Sequence, residues 1–199
     1  MSVLSIPPSA LNLLFPEYFA ETPRFGGYPS PCTGIKVKHD KLFNSIVAST
    51  IFYMEYHKII SIRPSKVGGI FKKDALALIK LRNFDYRHYG YLSYRLARLP
   101  VNGWLYLYNI VAEKVEVDYP VKYMINRVTQ YDLTPLRYLW YGGRPNCREI
   151  MKFKPQAEWL RSLLVGYSRS RPLYFNILEK EVKRALSSMV KEYEDYDYD

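Results

Sequence analysis

Proline placement is the first constraint on what this chain can fold into. Six of its thirteen prolines (Pro7, Pro8, Pro16, Pro23, Pro29, Pro31) precede residue 38, with Gly26, Gly27 and Gly34 among them. Proline locks φ and removes a backbone donor, so neither a long helix nor a central strand fits there. Residues 1–38 therefore read as a proline-rich N-terminal arm with one short helix, Ser9–Phe15, capped by Ser9. Its apolar residues, Leu11, Leu13, Leu14 and Phe15 among them, predict that it packs on the body or on a second subunit.

Residues 39–191 read as a single globular domain. Leu42, Phe43, Ile46, Val47, Thr50, Ile51 and Met54 recur at helical spacing, so Asp40 opens a helix that runs to about His57. Lys58–Ile62 extends that helix or forms a short strand, and Pro64 stops either. The spacing next predicts three short helices: Ser65–Phe71, Ala75–Asn83 and Tyr86–Leu99, the last closed by Pro100. Trp104, Tyr106 and Tyr108 then alternate with Leu105, Leu107 and Asn109, and Val111–Tyr119 alternates again, which predicts a β-hairpin. Thr134-Pro135 starts a helix ending at Gly142-Gly143. Further helices are expected over Pro155–Tyr167 and Leu173–Tyr193. Residues 192–199 form an acidic, Tyr-rich tail read as disordered. The expected class is α+β, mostly helical with one β-hairpin. Three helices leading into a hairpin match the outline of a winged helix-turn-helix core with additional C-terminal helices.

Charge narrows the function classes. The 199 residues carry a formal net charge of +10 at pH 7, a field that favours polyanions. Between Lys66 and Arg98 the chain has eight cations, Lys66, Lys72, Lys73, Lys80, Arg82, Arg87, Arg95 and Arg98, against Asp74 and Asp85. These eight are the candidate nucleic-acid-binding residues: lysine meets phosphate, and arginine reads guanine edges as well. Twenty tyrosines accompany them. Tyr86, Tyr89, Tyr91 and Tyr94 offer rings on which unpaired bases stack, although most of them are expected in core or rim packing.

Catalysis finds little support. Cys32, Cys147, His39, His57 and His88 are too scattered for a zinc site. No phosphate-binding glycine loop or nucleophile elbow is present. No spacing singles out a Mg²⁺-binding pair among Glu55, Asp74, Asp85 and Glu113. No cofactor or metal is expected. Two cysteines make no disulfide framework, and an N-terminal secretion signal is missing, so the thiols are expected to be reduced and the protein intracellular. No run is long enough to span a bilayer. The sequence thus points to a non-enzymatic nucleic-acid-binding protein (DNA or RNA), such as a transcription regulator, contacting phosphates through a basic helical region. The alternative is a structural or interaction subunit, of cellular, viral or mobile-element origin, with a protein partner or a second copy of itself.

Overall fold

The computed structural model describes residues 4–68 and 72–190. Helix α1 (Pro8–Leu14) carries proline at its first position, where the missing N–H costs nothing. Every residue of α1 is buried. Ser9 therefore lies inside the helix rather than capping it, and Pro7 holds the cap position. Two short strands, β1 (Tyr28–Pro29) and β2 (Lys36–Val37), pair antiparallel and lead into α2 (His39–Tyr56). From Ile46 to Met54 nine consecutive residues of α2 are buried. A helix buried on all sides needs neighbours all round, and α1, the later helices Pro120–Val128, Lys154–Ser170 and Pro172–Ser187, and the first long strand surround it. Lys58, with φ +55°, turns the chain out of the helix.

The largest departure from the sequence expectation follows. Within the expected helices Ser65–Phe71 and Ala75–Asn83, Ser65–Val67 and Ala75–Lys80 are strand instead, part of a hairpin of β3 (Ile60–Val67) against β4 (Lys73–Lys80) in register from Ile60↔Lys80 to Val67↔Lys73, while residues 69–71 lie outside the described residues. Alanine and leucine favour helices in isolation, but tertiary pairing overrides that preference. The segment alternates: Leu76 and Leu78 face the core while Ala75 and Ala77 share the opposite face with Ile79. Pro64 does not end the element because β3 is an edge strand with one neighbour.

The expected helix Tyr86–Leu99 is broken at Gly90, whose φ is +93°. It becomes single turns at Tyr86–His88 and Tyr91–Ser93, then α3 (Tyr94–Ala97). Strand β5 (Trp104–Tyr106) joins the sheet beside β4, giving the order β3-β4-β5. The expected hairpin over 104–119 does not form, since Leu107–Val111 turns into helix α4. Where β5 leaves the sheet, the buried carboxylate of Glu181 replaces it, accepting from Leu76 N at 2.7 Å and Tyr108 N at 3.4 Å.

Helix α5 (Pro120–Val128) turns Met124, Ile125 and Val128 inward and runs on into a wider turn, Thr129–Leu133. The helix expected from Thr134 ends at Leu139, and Gly142-Gly143, both with positive φ, make the two-residue turn between β6 (Trp140–Tyr141) and β7 (Arg144–Pro145). Helix α6 (Cys147–Ile150) precedes α7 (Lys154–Ser170) and α8 (Pro172–Ser187). The acidic tail lies outside the described residues. The fold is thus α+β with small antiparallel sheets. No helix among the described residues is long and apolar enough to cross a membrane.

Cys32 and Cys147, expected as free thiols, form a disulfide, with Cα atoms 5.4 Å apart and a sequence separation of 115. The bond ties the β1–β2 turn to the start of α6. Such a distant pairing depends on how the whole chain folds back and leaves no spacing signal.

A buried polar junction joins three segments. Asp132, 5% exposed, accepts from the Ser9 hydroxyl at 2.5 Å and from Tyr91 N at 2.8 Å. Asn12 Nδ2 donates nearby to Pro8 O and Ser49 Oγ, each at 2.8 Å. Gly90 is required here: a Cβ would collide with Ser9 Oγ and lie 2.8 Å from Asp132 Oδ2.

Burial pushes the Asp132 carboxyl up to about 6, with the Ser9 and Tyr91 hydrogen bonds pulling it partly back. Because its folded value exceeds the ordinary 3.8, the folded state holds the proton more tightly than the unfolded chain. The Asp132 contribution to stability therefore falls as pH rises from about 4 to about 6 and is flat above, a change on the order of 3 kcal/mol. Urea unfolding of Asp132→Asn across this range should lack that component of the slope. Reduction of the disulfide, or Cys32→Ser, should cost about 3–5 kcal/mol from the entropy of so long a loop, read as a lowered melting temperature. Intact mass should show the two thiols already oxidised.

Candidate nucleic-acid interface

The three-stranded sheet has two unlike faces. Ile60, Ile62, Leu76, Leu78 and Leu105 turn toward the core, which α4 and α8 complete. On the opposite face the register sets out two rows. Arg63, Ala77 and Tyr106 form one; Ser61, Ile79 and Trp104 form the other. With strands ~4.8 Å apart, Arg63 and Tyr106 sit about 10 Å from each other across the small Ala77. The Trp104 and Tyr106 rings meet edge to face, centroids 5.0 Å apart. Trp104 is 54% exposed, so its ring is open to solvent rather than spent on the core. Lys73 shares this face by strand alternation, further toward the hairpin tip. An aromatic pair beside cations on an open sheet provides both a stacking surface and a phosphate contact.

The eight cations expected to act as one cluster are divided by the hairpin. Lys66, Lys72 and Lys73 are exposed at its tip, where Lys66 pairs with Asp74 at 3.1 Å. Gly68 at the tip has a φ of +101°. Lys80 ends β4 seven residues on, ~23 Å from Lys73 at 3.3 Å per residue. The Lys80 side chain is buried, its ammonium donating to Ala97 O at 2.7 Å and Leu99 O at 2.6 Å. It fastens the 97–103 loop to the sheet and presents no charge to a ligand. Lysine at that position looks like one more cation in sequence; only the closed loop supplies the carbonyls that bring it inside.

The four arginines lie beyond Lys80. Arg82 is exposed and donates to His57 O at 2.7 Å. Arg87 faces Asp85 at 3.8 Å with most of its side chain in solvent. Arg95 reaches the carbonyls of Asn109 and Ala112, a cation placed on the C-terminal end of α4. Arg98 lies over the Tyr94 ring, 5.6 Å from its centroid. The expected basic helical region is therefore a basic hairpin tip and a separate arginine-bearing loop.

The tyrosines divide as well. Tyr89 packs against Tyr53 and Phe84. Tyr86 meets Tyr94, and Tyr91 stacks on Tyr131. Arg63, Trp104 and Tyr106 were absent from the sequence-based site residues. The alternation of Trp104 and Tyr106 was visible, but their nearness to Arg63 follows only from the β3-β4-β5 order. Among the described residues no group of three or more His, Cys, Asp or Glu side chains is placed to hold a metal ion.

No protein-family model matches the chain, and comparisons with curated proteins and with solved structures find no match.

The separation of roles gives a test at Lys80. Lys80→Met strands two carbonyls and should destabilise the protein by about 2–4 kcal/mol in urea unfolding. Under conditions where the variant remains folded, its affinity for an oligonucleotide should match that of the parent.

Proposed function

We propose that this protein binds single-stranded nucleic acid on the outer face of β3-β4-β5, without acting on it chemically. The observation that carries this reading is the row in which Arg63 and Tyr106 flank Ala77, with exposed Trp104 in the next row. Unpaired bases have free faces to stack on Trp104 and Tyr106, whereas duplex bases do not. Lys72 and Lys73 at the hairpin tip then follow the backbone. The same tip supports a wing-like role, a hairpin resting on phosphates after a preceding helix, here α2. Regulation of transcription is one task such a binder would serve.

A second reading, an interaction subunit, rests on a different surface. Tyr141 at the β6–β7 turn is 87% exposed and Tyr138 is 60% exposed, aromatic area of the kind that protein partners cover. A stable hetero-complex that survives high salt and retains no nucleic acid would favour it.

Fluorescence anisotropy on labelled single-stranded and duplex oligonucleotides tests the first reading. Contacts to three or four phosphates give a slope of log affinity against log salt of about −2 to −3 for a single strand. Arg63→Ala with Lys73→Ala should flatten that slope by roughly 1.4. Trp104→Ala should weaken binding by about 1–3 kcal/mol with the slope retained. Affinity that is flat in salt, or indifferent to Trp104, overturns the reading.

A further inference from the structure

A second concave site lies away from the sheet face. Tyr86, Tyr91 and Tyr94 come from the turns around α3, Glu113 and Lys114 follow α4, and Arg127 and Tyr131 belong to α5 and the turn after it. They line a half-open cleft of about 530 Å³, within the range of small-molecule sites. Glu113 anchors it, accepting from the Tyr91 hydroxyl at 2.5 Å and from the Tyr123 hydroxyl at 2.9 Å. Arg127 Nη2 donates to Tyr91 Oη at 3.1 Å, and the guanidinium lies over both the Tyr91 and Tyr131 rings. Its Nε is 3.8 Å from Glu113 Oε2, too far for a hydrogen bond, and this buried atom has no hydrogen-bond partner among the described residues. Burial, and then the hydrogen bond to Glu113, push the Tyr91 hydroxyl up to about 12, so Tyr91 stays a neutral donor at any ordinary pH.

Two features of this cluster exceed what packing alone needs. The first is charge: Lys114 and Arg127 line the cavity beside Glu113, its one acid, while Arg95 lines it with its guanidinium already held by the Asn109 and Ala112 carbonyls. Lys114 is exposed and makes no ion pair among the described residues. The second is aromatic surface left in solvent. Tyr131 stacks on Tyr91 with centroids 4.6 Å apart yet remains 44% exposed, and Tyr94, edge-on to Tyr86 at 5.2 Å, is 38% exposed. A ligand that satisfies both carries a flat ring and an anion. The ring stacks on the exposed tyrosine face, and the anion meets Lys114 and the remaining Arg127 donors.

We propose that this pocket binds a nucleoside phosphate, either free or as the terminal nucleotide of a strand. It uses none of the sheet-face residues, so it stands or falls separately from the oligonucleotide site. Titration calorimetry with adenosine monophosphate, adenosine and inorganic phosphate tests it. The nucleotide should bind at least about tenfold more tightly than either fragment alone. Tyr131→Ala should weaken it roughly tenfold by removing the stacking face, and Lys114→Ala should narrow its advantage over adenosine. Thermal melts identify any variant that has lost its fold. Both variants should keep the parent's affinity for a 5′-hydroxyl oligonucleotide, whereas Trp104→Ala should leave nucleotide binding intact. Displacement of adenosine monophosphate by a 5′-phosphorylated oligonucleotide, but not by its 5′-hydroxyl form, identifies a strand end as the occupant. Displacement by neither identifies the free nucleotide. Adenosine monophosphate binding no better than its fragments, or binding equally to parent, Tyr131→Ala and Lys114→Ala, overturns the proposal.

Discussion

Enclosure of α2 is the constraint on which the remaining structure depends. Its side chains are buried on every face along the nine-residue run from Ile46 to Met54, so no single partner satisfies it. Helix α1 covers one side and α5, α7 and α8 cover others, while Phe52 stacks against Tyr167 of α7 and Phe175 of α8. Where α2 ends, the left-handed Lys58 sends the chain directly into β3. The position of the hairpin, and so of its basic tip, follows from the exit of this helix.

Hydrophobic enclosure is not directional, and buried charged or polar groups supply the direction. Asp132 joins α1 to the Gly90 turn. Glu181 joins α8 to the end of the β4–β5 pairing, and Lys80 holds the loop that leads into β5. Glu55 of α2 accepts from one nitrogen of Arg171, Nη1, at the start of α8, its two oxygens 2.9 and 2.8 Å away. Each group costs desolvation and is tolerable only in the arrangement that supplies its partners. Burial leaves its mark on two of the carboxylates: Asp132 and Glu181 are both pushed upward, chiefly by desolvation.

The same principle separates the charges available for binding from those already used. Lys80 and Arg95 donate to backbone carbonyls, Arg171 serves the partly buried Glu55, and Arg184 serves the buried Glu181. Lys72, Lys73 and Arg63 remain at the surface near or on the open sheet face, whereas Lys66 pairs with Asp74 on the other side of the hairpin. Net charge in sequence therefore overstates the field available to a polyanion, and the aromatic content of the sheet matters as much as the count of lysines.

Much of this architecture is legible in the amino-acid order. Helical spacing from Leu42 to Met54 marks α2, and proline at the first positions marks α7 and α8 with their apolar stripes. These features are local, set by backbone sterics and by periodicity within one element. Residues 65–83 are different. Ala75–Lys80 suits a helix by propensity and a strand by alternation, and the choice falls to β3, β5 and Glu181, which lie outside it in sequence. The Cys32–Cys147 bond and the inward turn of Lys80 belong to the same class, as does the alignment of Arg63 with Tyr106. By itself the sequence determined the presence of α1, α2, α7 and α8 and how much charge the chain carries. Tertiary structure alone decided which charges face water, because a side chain is buried or exposed only relative to partners brought from elsewhere in the chain.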